Sequence, residues 1–377
     1  MSRTMRSDVF IVADNIYSPL GKTTEENFLQ LKNGVSSVKL HNDVNLSETP
    51  VYSSLFEDKK QFNLTVYTKF EQLLIASISD AIQNSDIDIT KNTALIISST
   101  KGNISLLETG KNGPDLYKRV SMTTSAKLVA DYFGFQIPPI VVSNACISGV
   151  MAIITGTRLL HTGQYENAVV CGADVISRFV VSGFQSFQAL SPSVCRPFEA
   201  SRDGLNLGEG AATVVLSVNK KFKGQLKVKG GSISNDANHI SGPSRTGEEL
   251  SYAIKKAIQN AGLIPGDIDF ISAHGTATPY NDEMEANAVR LAGLQSTPLN
   301  SLKGYYGHTL GAAGLIEAVV SMQSLKEGLM IPTPGFNELG VSSEVNVCAE
   351  LTPIAATNFL KTASGFGGCN GAIVVVK

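Results

Sequence analysis

Three side chains in this 377-residue chain sit where the backbone itself can make them reactive: Cys146, His274 and His308. The segment Ile140-Val141-Val142-Ser143-Asn144-Ala145-Cys146-Ile147-Ser148-Gly149-Val150 runs from an apolar strand through small residues into a helical pattern. That turn places Cys146 at a helix N-terminus, where unpaired N–H groups and the helix dipole favour thiolate over thiol and can hold an oxyanion. Small residues at Ala145, Ser148 and Gly149 leave room for a substrate. The competing reading of Cys146 is a small buried apolar residue, the commonest role of a free cysteine. Cys171, Cys195 and Cys348 lack this context and read as structural.

His274 opens the polar turn His274-Gly-Thr-Ala-Thr278-Pro279 after an apolar run, and His308 lies in Lys303-Gly-Tyr-Tyr-Gly-His308-Thr-Leu-Gly-Ala-Ala-Gly314, just before a helix rich in small residues. An imidazole at a helix N-terminus stays neutral near pH 7, and two such rings can hold an enolate oxygen. His41, His161 and His239 read as surface or structural, and Lys303 reads as a buried charge paired with Glu317 or as an ordinary solvated lysine. The glycines from Gly307 to Gly314 do not follow the dinucleotide-binding spacing, and no Walker loop is present. Gly365-Phe366-Gly367-Gly368 leads into a strand instead of a helix, as a tight turn whose backbone comes close to something.

The elements that must position these groups alternate. Apolar runs at Val9–Val12, Ala94–Ser98, Ile140–Val142, Ala168–Cys171 and Ala212–Leu216 predict buried strands, with helices over Tyr67–Gln83 and Val150–His161. The second half repeats the theme, with strands at Leu226–Ile233, Ile268–Ser272, Val345–Val347 and Ala372–Val376 and helices over Leu250–Ala261 and Ala312–Leu325. The alternation predicts an α/β fold with a mostly parallel sheet covered on both faces, in two similar halves, 1–222 and 223–377. Reactive groups in such sheets collect at the carboxyl ends of strands.

Composition narrows the function classes. A net charge of −2, with 17% charged and 43% apolar residues, gives neither a nucleic-acid footprint nor a membrane-surface patch. The run Val9–Ala13 is too short for a signal or spanning segment, so a cytoplasmic location is expected. Five cysteines at irregular spacing predict free thiols, with neither a disulfide framework nor a metal site. The sequons at Asn45, Asn63 and Asn103 then read as chance occurrences.

Taken together, Asn144-Ala-Cys146, His274-Gly-Thr-Ala-Thr278, Lys303-Gly-Tyr-Tyr-Gly-His308 and Gly365-Phe-Gly-Gly368 resemble the elongating β-ketoacyl-acyl-carrier-protein synthases. Arg196-Pro-Phe198, Arg202-Asp-Gly204 and Gly208-Glu-Gly210 extend the resemblance over nearly the whole chain. It implies a thiolase-like fold, two βαβαβαββ halves in a five-layered αβαβα arrangement, and decarboxylative condensation of an acyl-cysteine with malonyl carrier protein. Carried over, Cys146 is the nucleophile, His274 and His308 hold the malonyl thioester carbonyl, and Lys303 paired with Glu317 orients His308. The N–H groups of Cys146 and Phe366 form the oxyanion hole, and Phe366 also gates an acyl pocket bordered by Phe184, Gly365 and Gly367. Thr276 and Thr278 touch the pantetheine arm, which the acyl carrier protein supplies, so no cofactor of the chain's own is implied.

Docking of an acidic carrier protein would use Lys118 and Arg119, with Lys127 or Lys69 nearby. The family acts as a dimer, here either of identical chains or with a related subunit. This chain departs from the pattern in lacking the usual glycines around Ala13–Gly21, and at Asn144, Ile147, Ala277, Tyr305-Tyr306 and Cys369. Three rival readings stand beside it: a non-catalytic chain-length-factor-like subunit, against which Cys146 and both histidines argue; an initiating synthase, expected to show one histidine and an asparagine where this chain has His274 and His308; and a thiolase using Cys369 as a second catalytic cysteine.

Overall fold

A computed structural model describes residues 7–57, 62–63, 66–237 and 244–377; His239 lies outside them. Strand order across the main sheet is 346–347, 298–300, 271–272, 358–365, 369–376, 227–235, 10–17, 210–217, 167–174, 93–98 and 140–142. Both halves repeat one order outward from the middle: first strand, last, last but one, second, third. They are continuous through the Phe10–Lys227 pair, and the proposed boundary after residue 222 falls in the connection between strands 210–217 and 227–235.

Helices Ser148–His161 and Ala313–Glu327 touch strands of both halves and form the middle layer. Helix Lys69–Gln83 covers the outer face of the first half, and Glu248–Ala261 that of the second. The result is the five-layered arrangement. The largest apolar cluster spans both halves, with Ile96, Val150 and Val214 meeting Leu315, Phe359 and Ile373.

Strand direction departs from the expectation of a mostly parallel sheet. Strands 93–98, 140–142 and 167–174 are parallel, as are 271–272, 298–300, 346–347 and 358–365. Strands 10–17, 210–217, 227–235 and 369–376 pair antiparallel with their neighbours. The apolar runs found most of the strands but missed Asn358–Gly365, which carries buried Lys361, Thr362 and Ser364 among its apolar residues.

Gly149, expected to leave room for a substrate, makes room for a helix instead. A Cβ there would lie 2.8 Å from Leu315 N and 3.1 Å from Gly311 O, and one on Gly314 would lie 2.8 Å from Val150 N. The two middle-layer helices therefore touch backbone to backbone at their N-terminal ends. Gly149→Ala should lower unfolding free energy by about 1–3 kcal/mol, because backbone cannot yield to the added methyl. Gly156→Ala, whose Cβ would meet only side-chain tips of Val170, Ile96 and Leu216, should cost less, and equal losses in denaturant unfolding would contradict this packing.

Candidate active site

The turn before the first middle-layer helix is strained. Ala145 has φ of 43°, and Ser148 ties the turn by donating to Ala145 O at 2.6 Å and accepting from Asn144 N at 2.8 Å. Ser148 is thus part of the turn, not open space. Cys146 is turned inward and buried, and burial, reinforced by Cys369 nearby, pushes its thiol up to about 12. Desolvation works against the thiolate expected at the helix N-terminus and favours the thiol.

His274 and His308 lie beside it with ring centroids 5.2 Å apart in an edge-to-face arrangement. One ligating atom from each of Cys146, His274 and His308 falls within 4.8 Å of the others. Both imidazoles are buried, and desolvation, helped by Lys303 and Lys361, holds each well below the usual histidine range, so both are neutral. His308 is fixed as the Nε2–H tautomer, because Leu310 N–H donates to its Nδ1 at 3.3 Å. His274 Nδ1 is buried and has no hydrogen-bond partner among the described residues. Sulfur and two imidazole nitrogens are also donors for soft divalent cations, but the ammonium groups of Lys303 and Lys361 set a positive field against one.

Each histidine is placed by distant segments. His308 N donates to Asn206 O at 2.6 Å and its carbonyl accepts from Gly208 N at 3.0 Å, so the first half holds the backbone of a second-half residue. A Cβ on Gly208 would stand 1.9 Å from Tyr306 O, which is why this contact uses glycine. His274 N and Gly275 N donate to Glu285 at 2.8 and 2.7 Å, while Thr276 N and Ala277 N donate to Asp282 at 2.8 and 3.1 Å. Ala277 takes φ of 62°, a conformation glycine adopts more easily.

Asp282 and Glu285 were missed by the sequence reading. Their i, i+3 spacing just after the His274 turn was the available signal, since it puts both on one face of helix Pro279–Leu291. Burial pushes the Asp282 carboxyl up to about 6, against the N–H groups that stabilise its charge.

Lys303 pairs with Glu317 as expected, but its Nζ donates to His274 O at 2.8 Å, so the backbone it holds is that of His274 and not of His308. A second lysine, Lys361, meets the other Glu317 oxygen at 2.6 Å. Asp174, on the other side, accepts from Ser99 Oγ at 2.7 Å and Gly311 N at 2.7 Å, joining the His308 loop to the first half.

Cys146, His274 and His308 line a cavity of about 540 Å³ with Phe184, Thr276, Thr278, Gly365 and Phe366. Gly368, and not the expected Gly367, faces it. At the mouth the Phe366 ring lies 5.8 Å from Phe184 and 5.1 Å from Phe187. Thr276 and Thr278 hydroxyls are hydrogen-bonded at 2.8 Å. Cys369 donates its thiol to Asn144 O at 3.7 Å and Phe366 O at 3.5 Å, outside the Cys146 and histidine group.

Among the docking candidates, Lys118 and Lys127 are exposed, whereas Arg119 forks onto buried Glu71 and Lys69 pairs with buried Glu209 at 2.5 Å. Those two cations are committed within the fold, because their carboxylate partners have no water to turn to. His41 and His161 bond backbone carbonyls away from the site, at Ser53 and Ser7. Asn103 is buried against Glu71 and Ser125, which closes that sequon in the folded chain. No helix among the described residues is long and apolar enough to cross a membrane.

A thiolase-like fold with a cysteine and two histidines at one cavity defines the class of condensing enzymes. Solved structures share the fold: the ishigamide ketosynthase/chain length factor, at TM-score 0.89, 24% identity and 99% of both chains. The ketosynthase in complex with its chain length factor from Xenorhabdus doucetiae matches at TM-score 0.86 and 25% identity, over 100% of this chain and 99% of that one. The 3-oxoacyl-(acyl-carrier-protein) synthase 2 of Staphylococcus aureus is 28% identical over a 421-residue alignment covering 100% of this chain and 99% of that protein. The β-ketoacyl synthase N-terminal domain matches residues 6–221 and the C-terminal domain residues 226–337. The chain belongs to the β-ketoacyl synthase family, acyltransferases that elongate chains in fatty acid or polyketide biosynthesis.

A thiol held near 12 should alkylate slowly at pH 7. The rate of iodoacetamide labelling at Cys146, followed by peptide mass spectrometry, should keep rising with pH past 9 as thiolate forms. A plateau below pH 8 would show a thiolate already standing in the resting site.

Proposed function

We propose that the chain condenses an acyl group carried on Cys146 with a malonyl unit, both delivered by acyl carrier protein. The observation that carries this reading is the gathering of the Cys146 thiol and two neutral imidazoles within 4.8 Å at one cavity. In the first step Cys146 sulfur attacks the acyl thioester, and its proton passes to His274, whose tautomer no hydrogen bond fixes at Nδ1, and then to the departing pantetheine thiolate. The acyl group is now on Cys146.

In the second step the malonyl thioester carbonyl lies against the rings of His308 and His274. Its C–CO2 bond breaks, carbon dioxide leaves, and the electron pair becomes an enolate held by the imidazole N–H groups. The enolate carbon attacks the acyl-Cys146 carbonyl, and the oxyanion is received by the N–H groups of Cys146 and Phe366. Collapse expels the Cys146 thiolate, which takes a proton from water. A Cβ on Gly365 would lie 2.9 Å from Cys146 N, a closeness that supports pairing these two donors. One such donor is worth about 3–4 kcal/mol in the transition state.

Thr276 and Thr278 line the path of the pantetheine arm, Phe366 closes over the acyl pocket beside Phe184, and the reaction needs no cofactor bound by the chain itself. Of the docking candidates, Lys118 and Lys127 are the exposed cations that can meet an acidic carrier protein. The sheet ends at the edge strand Ile140–Val142, directly before Cys146, where a second subunit, identical or related, can pair.

Incubation with a panel of acyl carrier protein thioesters should give an acyl adduct by intact mass that is absent from Cys146→Ala. His308→Ala should still take the acyl group but decarboxylate malonyl carrier protein at least about a hundredfold more slowly. Retained condensation by His308→Ala, or absence of any adduct on the wild-type chain, would overturn this reading, the latter in favour of a non-catalytic partner subunit.

A further inference from the structure

Lys361 takes no part in the steps above, yet it is fully buried on the strand Asn358–Gly365. Burying an ammonium costs several kcal/mol unless its hydrogen bonds are all met. Here two are met by the peptide run that carries His274, with Lys361 Nζ donating to Ser272 O at 3.1 Å and to Ala273 O at 3.0 Å, and the charge is paired with Glu317 Oε2 at 2.6 Å. Lys303 Nζ donates to the next carbonyl, that of His274, at 2.8 Å, and pairs with Glu317 Oε1. Three successive carbonyls are therefore held by two ammonium groups bridged through one carboxylate.

The N–H side of the same run is held by Glu285, which takes His274 N and Gly275 N and also Thr362 Oγ1 at 2.6 Å, from the residue after Lys361. One strand thus reaches the His274 peptide from both sides. An apolar residue could fill the space at position 361 with less desolvation, and replacing buried ions by apolar groups is often neutral or stabilising. A lysine there calls for a role that its charge and its donors serve.

We propose that Lys361 is a second positioning residue for malonyl decarboxylation, fixing the peptide groups that hold His274 at the cavity and, with Lys303, setting positive charge behind both imidazoles. The inference rests on the ketosynthase reading above.

The charges bearing on the two rings come from Lys303, from Glu317 on helix Ala313–Glu327, from Glu285 on helix Pro279–Leu291 and from Lys361. Both lysines push both rings towards the neutral form. Removing the Lys361 charge therefore lets the rings protonate more easily, and the acid limb of any step that needs them neutral moves to higher pH.

Wild type, Lys361→Met and Lys361→Arg can be compared in two assays: acylation of Cys146 by intact mass, and decarboxylation of malonyl carrier protein as a function of pH. Lys361→Met should decarboxylate at least about tenfold more slowly, acylate more slowly as well because both steps use His274, and show its acid limb displaced upward by roughly half a unit or more. Lys361→Arg keeps the charge and should keep the limb in place. A Met variant with a wild-type profile, or one slowed equally at every pH, overturns the proposal by making Lys361 mere packing. Should the Met variant fail to fold, the Arg variant decides: a displaced limb there overturns the proposal. A wild-type chain that neither acylates nor decarboxylates overturns the ketosynthase reading itself.

Discussion

The reacting groups meet because two buried helices touch without side chains between them. Cys146 stands just before one and His308 shortly before the other, and Gly149 against Gly311 and Leu315, with Gly314 against Val150, sets their separation. Any Cβ at these points would meet backbone, which cannot rotate away. The strained turn at Ala145 and the backbone pairing of His308 with Asn206 and Gly208 then aim the thiol and the ring into the space so created.

Desolvation sets the charge state of that space. The same burial that pushes the Cys146 thiol up pushes both imidazoles down, so the resting site holds a thiol and two neutral rings. The charges that do persist, on Lys303, Lys361 and Glu317, satisfy one another and the carbonyls before and at His274.

Carboxylates do most of the work of making the loops rigid. Asp174, Asp282 and Glu209 each take backbone N–H groups from segments distant in the chain, and Glu285 ties the His274 turn to the distant Thr362 hydroxyl; charge-assisted bonds of this kind are short and strong in a dry interior. Arg119 and Lys69 serve the same end from the cationic side, through Glu71 and Glu209. Their charges read as surface features along the chain and become internal only when helix Lys69–Gln83 packs down.

By itself the sequence determined what local chemistry and periodicity can encode. The small-residue turn into a helix marked Cys146, the polar turns marked His274 and His308, and apolar runs located most strands of both halves to within a few residues. Tertiary structure decided strand direction, the strand through Lys361, the carbonyl that Lys303 holds, the choice of Gly368 over Gly367 at the cavity and the protonation of Cys146. The division has one physical reason. Backbone conformation and amphipathic spacing are properties of neighbours in sequence, whereas desolvation, ion pairing and close approach depend on which distant segments exclude water from one another.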